Sequence, residues 1–203
     1  MKNYKKNLEL LTKNHVYSKE MEHDACGVGV IVSTEGKKSR EIVKHGIEAL
    51  KAVWHRGAVD ADGKTGDGAG IHVEIPKDFF IEKIEVTGHD YDNAEICVGM
   101  IFLPRNDYSA QESCKTIVES ELTKNNFSIY GWRQVPVNPK VLGEKALQTM
   151  PEIIQVLFKS NDPNLLDKNL ERKIYEIRKK IENKAFEASL NNFYICSISS
   201  KSI

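Results

Sequence analysis

His23-Asp24-Ala25-Cys26-Gly27-Val28-Gly29-Val30-Ile31-Val32 sets a cysteine between a polar leader and a run of strand-forming residues. From Gly27 to Ser33 the valines and isoleucine predict a strand, and Gly27 and Gly29 leave room for another group to approach the backbone. Residues 1–25 are polar and lysine-rich, supply no strand for a sheet, and read as detachable. The thiolate is the reactive form of cysteine, and a cysteine that becomes the chain terminus carries a candidate base in its own α-amine, which titrates near ~8 when unperturbed. Near physiological pH such an amine is substantially neutral and can accept the thiol proton. An internal Cys26 has no such amine; the competing reading is a buried strand cysteine with its leader retained.

The 203 residues fit one domain, which at this size buries roughly 70% of the surface its unfolded chain exposes. Lysine and arginine (29) balance aspartate and glutamate (29), so the charge offers no pull toward nucleic acid and no long-range steering. No stretch approaches the ~20 apolar residues that cross a bilayer, and Met1 to Asn7 lacks the apolar core of a secretory signal. These features predict a cytoplasmic protein without membrane or nucleic-acid partners. Cys26, Cys97, Cys114 and Cys196 form no C-x-x-C pair, which argues against a zinc site or a disulfide framework. Cys97 and Cys196 lie in apolar runs and are expected to be small buried hydrophobes.

Beyond the first strand, Ile42, Val43, Gly46, Ile47, Leu50 and Val53 recur at helical spacing and predict a helix over 39–54. Ile71 to Ile75 alternates as a strand stopped by Pro76, and Lys77 to Phe80 begins a short connection. Glu95 to Leu103 reads as a strand buried on both faces, and Asp107 caps a helix reaching Asn125. Ser128 to Val137 predicts a strand with Ile129, Gly131 and Arg133 on one face and Tyr130, Trp132 and Gln134 on the other. A helical turn follows near Leu142 to Met150, then a strand from Glu152 to Phe158. Asp162 and Pro163 are placed at the cap and first position of a helix running to about residue 187, with a stripe of Leu166, Leu170, Ile174, Ile177 and Ile181. Asn192 to Ser199 is the final strand.

The loop Asp60 to Gly70 fails the specific ligand tests. A phosphate loop follows a strand and opens a helix, whereas this one follows a helix and enters a strand. An EF-hand begun at Asp60 would have Lys64 and Thr65 where an oxygen ligand and a glycine belong, and Ile71 at its last position.

Glu22-His23-Asp24-Ala25-Cys26-Gly27-Val28-Gly29, Trp54-His55-Arg56-Gly57-Ala58 and Thr65-Gly66-Asp67-Gly68-Ala69-Gly70-Ile71 together resemble the start of the glutamate synthase large subunits. The resemblance continues through Tyr130 to Asn138, Leu142-Gly143-Glu144, Leu170 to Glu182 and Phe193 to Ser197. It implies an N-terminal class II glutamine amidotransferase domain: an α+β, four-layer αββα N-terminal nucleophile hydrolase fold, incomplete at its C-terminal side. Residues 1–25 would then be a propeptide, residues 26–203 a partial glutaminase domain, and Cys26 the nucleophile. Arg56 and Gly57 match the H-R-G motif of the class and are assigned to the substrate side, Arg56 as a positioning group because a guanidinium keeps its proton.

The implied reaction hydrolyses L-glutamine to glutamate and ammonia through a cysteine thioester, and ammonia passes to a synthase domain that aminates 2-oxoglutarate. FMN and an iron–sulfur cluster are implied for the full-length family enzyme and none for this chain. Implied partners are the remainder of the synthase polypeptide and a flavoprotein small subunit or ferredoxin. The family's R-F-[ST]-T-N segment and Asn-Gly oxyanion pair are expected after the last strand and do not occur here, so the isolated chain is expected to hold its nucleophile without most of its pocket. The alternatives are an inactive fragment or non-catalytic remnant of this domain, or another class II amidotransferase.

Overall fold

The computed structural model describes residues 6, 9, 10, 13, 27–54 and 57–203. They divide into two compact units, residues 1–57 and 58–203.

In the first unit, α1 (Arg40–Ala52) starts where Ser39 Oγ accepts the Ile42 N–H at 3.4 Å. Such a cap satisfies one of the donors a helix start leaves open. Ile42, Val43, Ile47 and Leu50 are half-buried along one face, as their spacing predicts, and no residue of α1 is fully buried. The strand expected from Gly27 to Ser33 is not formed: this segment pairs with no strand among the described residues, and Val28 is 90% and Val30 79% exposed. β propensity measures fit to a paired, half-buried surface. Without a neighbouring ladder the valines have nothing to fit.

The second unit is built on a four-stranded antiparallel sheet. Its strands are β1 (Cys97–Leu103), β2 (Phe127–Gln134), β3 (Glu152–Ser160) and β4 (Tyr194–Ser199), in the order β2-β3-β1-β4. The central strands are the apolar ones, with Ile101 opposite Ile154 and Gly99 opposite Val156. Helix α2 (Lys77–Val86) precedes β1, and between the strands run α3 (Tyr108–Lys124), the short α4 (Glu144–Thr149) and α5 (Asp167–Glu187). Helices α3 and α5 cover one face: Cys114, Val118 and Leu122 from α3 and Leu170, Ile174, Ile177 and Ile181 from α5 share a core with Cys97, Ile101, Val156, Phe158 and Ile195. The other face holds a smaller core in which Phe80 and Ile84 of α2 meet Ile75, Ile96, Val98, Tyr130 and Leu157. The architecture is α+β.

Helix α2 stands where a short connection was expected. Apolar residues at 79, 80, 81, 84 and 86 surround its axis and blur the helical period, although only Phe80 and Ile84, one turn apart, are buried. α5 starts later than expected. Asp162 Oδ1 accepts the Asn164 N–H at 2.9 Å and its carbonyl accepts the Leu165 N–H at 3.2 Å, so Asp-Pro closes a local turn and Leu166, half-exposed, becomes the cap residue. Aspartate side chains offer such turns in competition with helix.

Two bulges change which residues share a face. In β2 the register shifts between Ile129 and Gly131, leaving Tyr130 unpaired, so Trp132 joins Ile129 on the α3/α5 face while Tyr130 lies on the other. The expected grouping of Tyr130 with Trp132 is thereby corrected. Gly131 makes the bulge possible: its φ is 151°, and a Cβ there would lie 2.8 Å from Thr87 Cγ2. In β4 the register passes from Met100–Ser197 to Ile101–Ile195, which leaves Cys196 as the extra residue on an edge strand. Cys196 is exposed, contrary to its expected burial, whereas Cys97 is buried and its thiol pKa is pushed well up by desolvation.

The expected strand Ile71 to Ile75 is reduced to a short pairing with the last residues. Val73 and Ile203 exchange N–H···O bonds at 2.8 Å each, and Ile75 N–H donates to Lys201 O at 3.0 Å.

Candidate functional site

Cys26, His55 and Arg56 lie outside the described residues. Gly57 is exposed and donates its N–H to Trp54 O at 2.9 Å, closing the end of the helical segment that leads into it. From the next residue the chain enters a hairpin. Ala58 N–H donates to Asp67 Oδ2 at 2.9 Å, Asp67 N–H donates back to Ala58 O at 3.3 Å, Val59 and Gly66 form a bridge, and Asp60 N–H donates to Thr65 O at 2.7 Å.

The tip is an Asx turn. Asp62 Oδ1 accepts the N–H groups of Lys64 at 2.9 Å and Thr65 at 2.7 Å, and Thr65 Oγ1 donates to Asp62 Oδ2 at 2.5 Å. The Thr65 hydroxyl, then the backbone N–H groups of Thr65 and Lys64, hold the Asp62 carboxyl well below the usual carboxylate range.

This tip rests on the segment entering α4. A Cβ at Gly143 would lie 2.2 Å from Thr65 Oγ1 and 2.4 Å from Asp62 Oδ2, so the approach requires glycine. Lys145 Nζ pairs with Asp60 Oδ2 at 2.6 Å. The fold therefore brings together two segments separated by some eighty residues, Asp60–Asp67 and Leu142–Lys145, both drawn from stretches singled out in the sequence. Gly68 and Gly70 have open space around them and lead into residues 71–75, not into a helix. The loop thus lacks the strand-to-helix geometry that presents successive N–H groups to phosphate.

The Asp67–Ala58 clamp and the close approach of Asp62 to Gly143 carry no signature of reactive chemistry and are not read from the sequence. The available signal was the D-x-K-T pattern of an Asx turn, Asp62 to Thr65, five residues on from Gly57.

A second polar group sits on the α2 face. Tyr130 OH donates to Asp92 Oδ1 at 2.7 Å, Lys159 pairs with Asp92 Oδ2, and Thr87 Oγ1 donates to Tyr130 O at 2.8 Å. Beside it Arg133 donates from Nη1 to Gln155 Oε1 at 2.7 Å and stacks 5.1 Å above the Phe79 ring. These contacts tie the loop after α2 and the β2 bulge to the sheet. Elsewhere a surface cleft of about 480 Å³ lies between the end of β1, β2 and the start of β3. Its polar side chains are engaged locally, Gln134 with Glu152 and Trp132 Nε1 with Glu119, which leaves few of them directed at a ligand.

Among the described residues no group of three or more His, Cys, Asp or Glu converges as a metal site, and no helix is long and apolar enough to cross a membrane.

Residues 26–203 match the family described as glutamine amidotransferases class-II. Over 200 residues the chain is 50% identical to the glutamate synthase (NADPH) large chain of Azospirillum brasilense, which covers 98% of this chain and 13% of that protein. It is 39% identical over 184 residues to the ferredoxin-dependent glutamate synthase 1, chloroplastic/mitochondrial, of Arabidopsis thaliana, covering 90% of this chain and 11% of that one. A ferredoxin-dependent glutamate synthase of Pyropia yezoensis is also 39% identical, over 94% of this chain and 12% of its own length. The chain thus spans about an eighth of the length of these curated relatives.

Proposed function

The chain belongs to the class II glutamine amidotransferases, and from that premise we propose that residues 26–203 serve as the glutaminase portion of a glutamate synthase. The observation that carries this reading is the start of the family match, which falls on Cys26 and leaves residues 1–25 outside it. Residues 1–25 are then a propeptide, and its removal turns Cys26 into the chain terminus.

In the reaction proposed, the neutral α-amine of Cys26 takes the thiol proton, and the thiolate attacks the side-chain carbonyl carbon of L-glutamine. The tetrahedral intermediate expels ammonia as the α-ammonium returns the proton to the leaving nitrogen. Water, activated by the same amine, then cleaves the glutamyl thioester and releases glutamate. Arg56 and Gly57 order the glutamine side of the site; Arg56 does so as a fixed cation able to give bidentate hydrogen bonds.

We place the sheet described above within a four-layer αββα arrangement. Two helices on one face and half-buried Met100, Phe102 and Ile153 on the other support that placement. Ammonia would pass to a synthase domain that aminates 2-oxoglutarate in the cytoplasm. FMN, the iron–sulfur cluster and an electron-donating flavoprotein subunit or ferredoxin belong to that remainder of the enzyme.

The test joins mass to activity. In the full-length synthase polypeptide that contains these residues, the mature protein should lack residues 1–25, and Cys26→Ser should lower glutaminase turnover by at least ~100-fold, as expected for loss of the attacking nucleophile. Persistence of Met1 in active protein, or equal ammonia release by the variant, would overturn the assignment.

A further inference from the structure

We propose that Asp67 is a positioning residue of the amidotransferase site: it clamps the exit of the His55-Arg56-Gly57 motif through Ala58, and the hairpin it closes is braced at its far end against Gly143. The inference rests on the assignment of Arg56 and Gly57 to the glutamine side of the site.

The first argument is what the hairpin does not do. Between 57 and 70 no residue is buried; Asp60 and Thr65 are half-buried and the others are exposed, Val59 at 54%. A segment that removes so little apolar surface from water contributes little to holding the fold. It is nevertheless densely bonded, and exposed hydrogen bonds of this kind stabilise only modestly. What they fix is a position.

The second argument is where the bonds end. Asp67 holds Ala58 from both sides, its carboxylate accepting the Ala58 N–H at 2.9 Å and its own N–H donating to Ala58 O at 3.3 Å. Ala58 is one peptide bond from Gly57 and two from Arg56.

The third is the brace. The missing Cβ of Gly143 lets Asp62 and Thr65 seat against the backbone, and the Lys145–Asp60 pair at 2.6 Å holds the same tip. The hairpin is therefore a strut running from the start of α4 to the residue after Gly57. A misplacement of about 1 Å at a reacting group can cost 10²-fold in rate. A strut without a stability role is suited to preventing such misplacement.

The experiment uses the full-length synthase polypeptide that contains these residues, with Asp67→Ala, Asp67→Asn, Gly143→Ala and Cys26→Ser. A glutamine analogue carrying a diazoketone alkylates the nucleophile, and intact mass follows the adduct. The maximal alkylation rate of Asp67→Ala and Gly143→Ala should fall roughly 10- to 100-fold while Asp67→Asn, which keeps an acceptor oxygen for Ala58, stays within about threefold of the parent. Amide exchange at Ala58 should speed up in Asp67→Ala, and urea midpoints of both Asp67 variants should match the parent.

Parent-like alkylation or unchanged exchange at Ala58 in Asp67→Ala would sink this inference alone. An equal loss in Asp67→Asn, accompanied by a lowered midpoint, would show a merely structural role. Cys26→Ser alkylated as fast as the parent would remove the nucleophile reading and this inference with it.

Discussion

Asp92 receives two donors of different kind, the Lys159 ammonium on one carboxylate oxygen and the Tyr130 hydroxyl on the other. The bond from Lys159 first, then that from Tyr130, lowers its pKa from 3.8 to about 2. A carboxyl depressed in the folded state stabilises the fold fully above its unfolded pKa and loses that contribution as pH falls through the folded value. The window is therefore from about 4 down to about 2. Asp92 is half-exposed, so solvent screens the effect and it should be small. Urea midpoints measured across that window should fall less steeply in Asp92→Asn than in the parent, and the two should converge at the acid end. Parallel curves would show that Asp92 does not carry this pH dependence. Residues of this kind were not legible beforehand: Asp92 lies in the polar run Gly88 to Asn93, and only the fold brings Tyr130 and Lys159 to it.

Among the elements, those with a clean period were readable. α1, α3 and β3 stand within two residues of their expected bounds: helical spacing marks the half-buried face of α1 and the buried face of α3, while β3 is read from its largely apolar run, which is buried on both faces. The failures have local causes: apolar residues all round α2, a competing Asx turn before α5, and single-residue bulges that invert the alternation of β2 and displace Cys196 in β4. A period-2 reading cannot detect an inserted residue, since every side chain beyond it changes face. The same edge of the sheet carries an element-scale prediction. Glu171 of α5 accepts Ser200 N–H and Ser200 Oγ at 2.7 Å each on one oxygen and Ser199 Oγ at 2.8 Å on the other. These bonds fix the chain as it leaves β4 toward Lys201 and Ile203, the residues that pair with Val73 and Ile75. Glu171→Ala should cost about 2–3 kcal/mol in urea unfolding, since a half-buried charged acceptor is removed from several donors. Amide exchange should rise at Val73, Ile75 and Ile203 and stay unchanged in the β1–β3 ladder. A loss of protection spread evenly over the sheet would contradict this local role.

At the scale of the whole molecule, the division at residue 57 separates regions of unequal burial. The readings of Cys26 and His55-Arg56-Gly57 rest on residue-type motifs and a family resemblance, and of these residues only Gly57 lies among those described. The contacts of Asp67 with Ala58 and of Asp62 with the Gly143 segment depend on proximity across the sequence that no local pattern records. The energetic contrast is plain: α1 buries none of its residues completely, whereas β1 and β3 place Cys97, Val98, Ile101, Val156, Leu157 and Phe158 at 0% exposure between helices α3 and α5 and the α2 face. Opening free energies follow local burial, from near zero in sparsely packed segments to the global value in core strands. Hydrogen exchange on the intact chain should therefore show Arg40–Ala52 exchanging through local opening, ahead of β1 and β3 by at least ~100-fold in protection, with rates in urea insensitive to the main transition until the sheet unfolds. Limited proteolysis should cut first on the N-terminal side of Ala58 and leave a resistant core containing the four strands. Equal protection of α1 and β1, with both lost at one urea concentration, would show instead that the two units unfold as a single cooperative body.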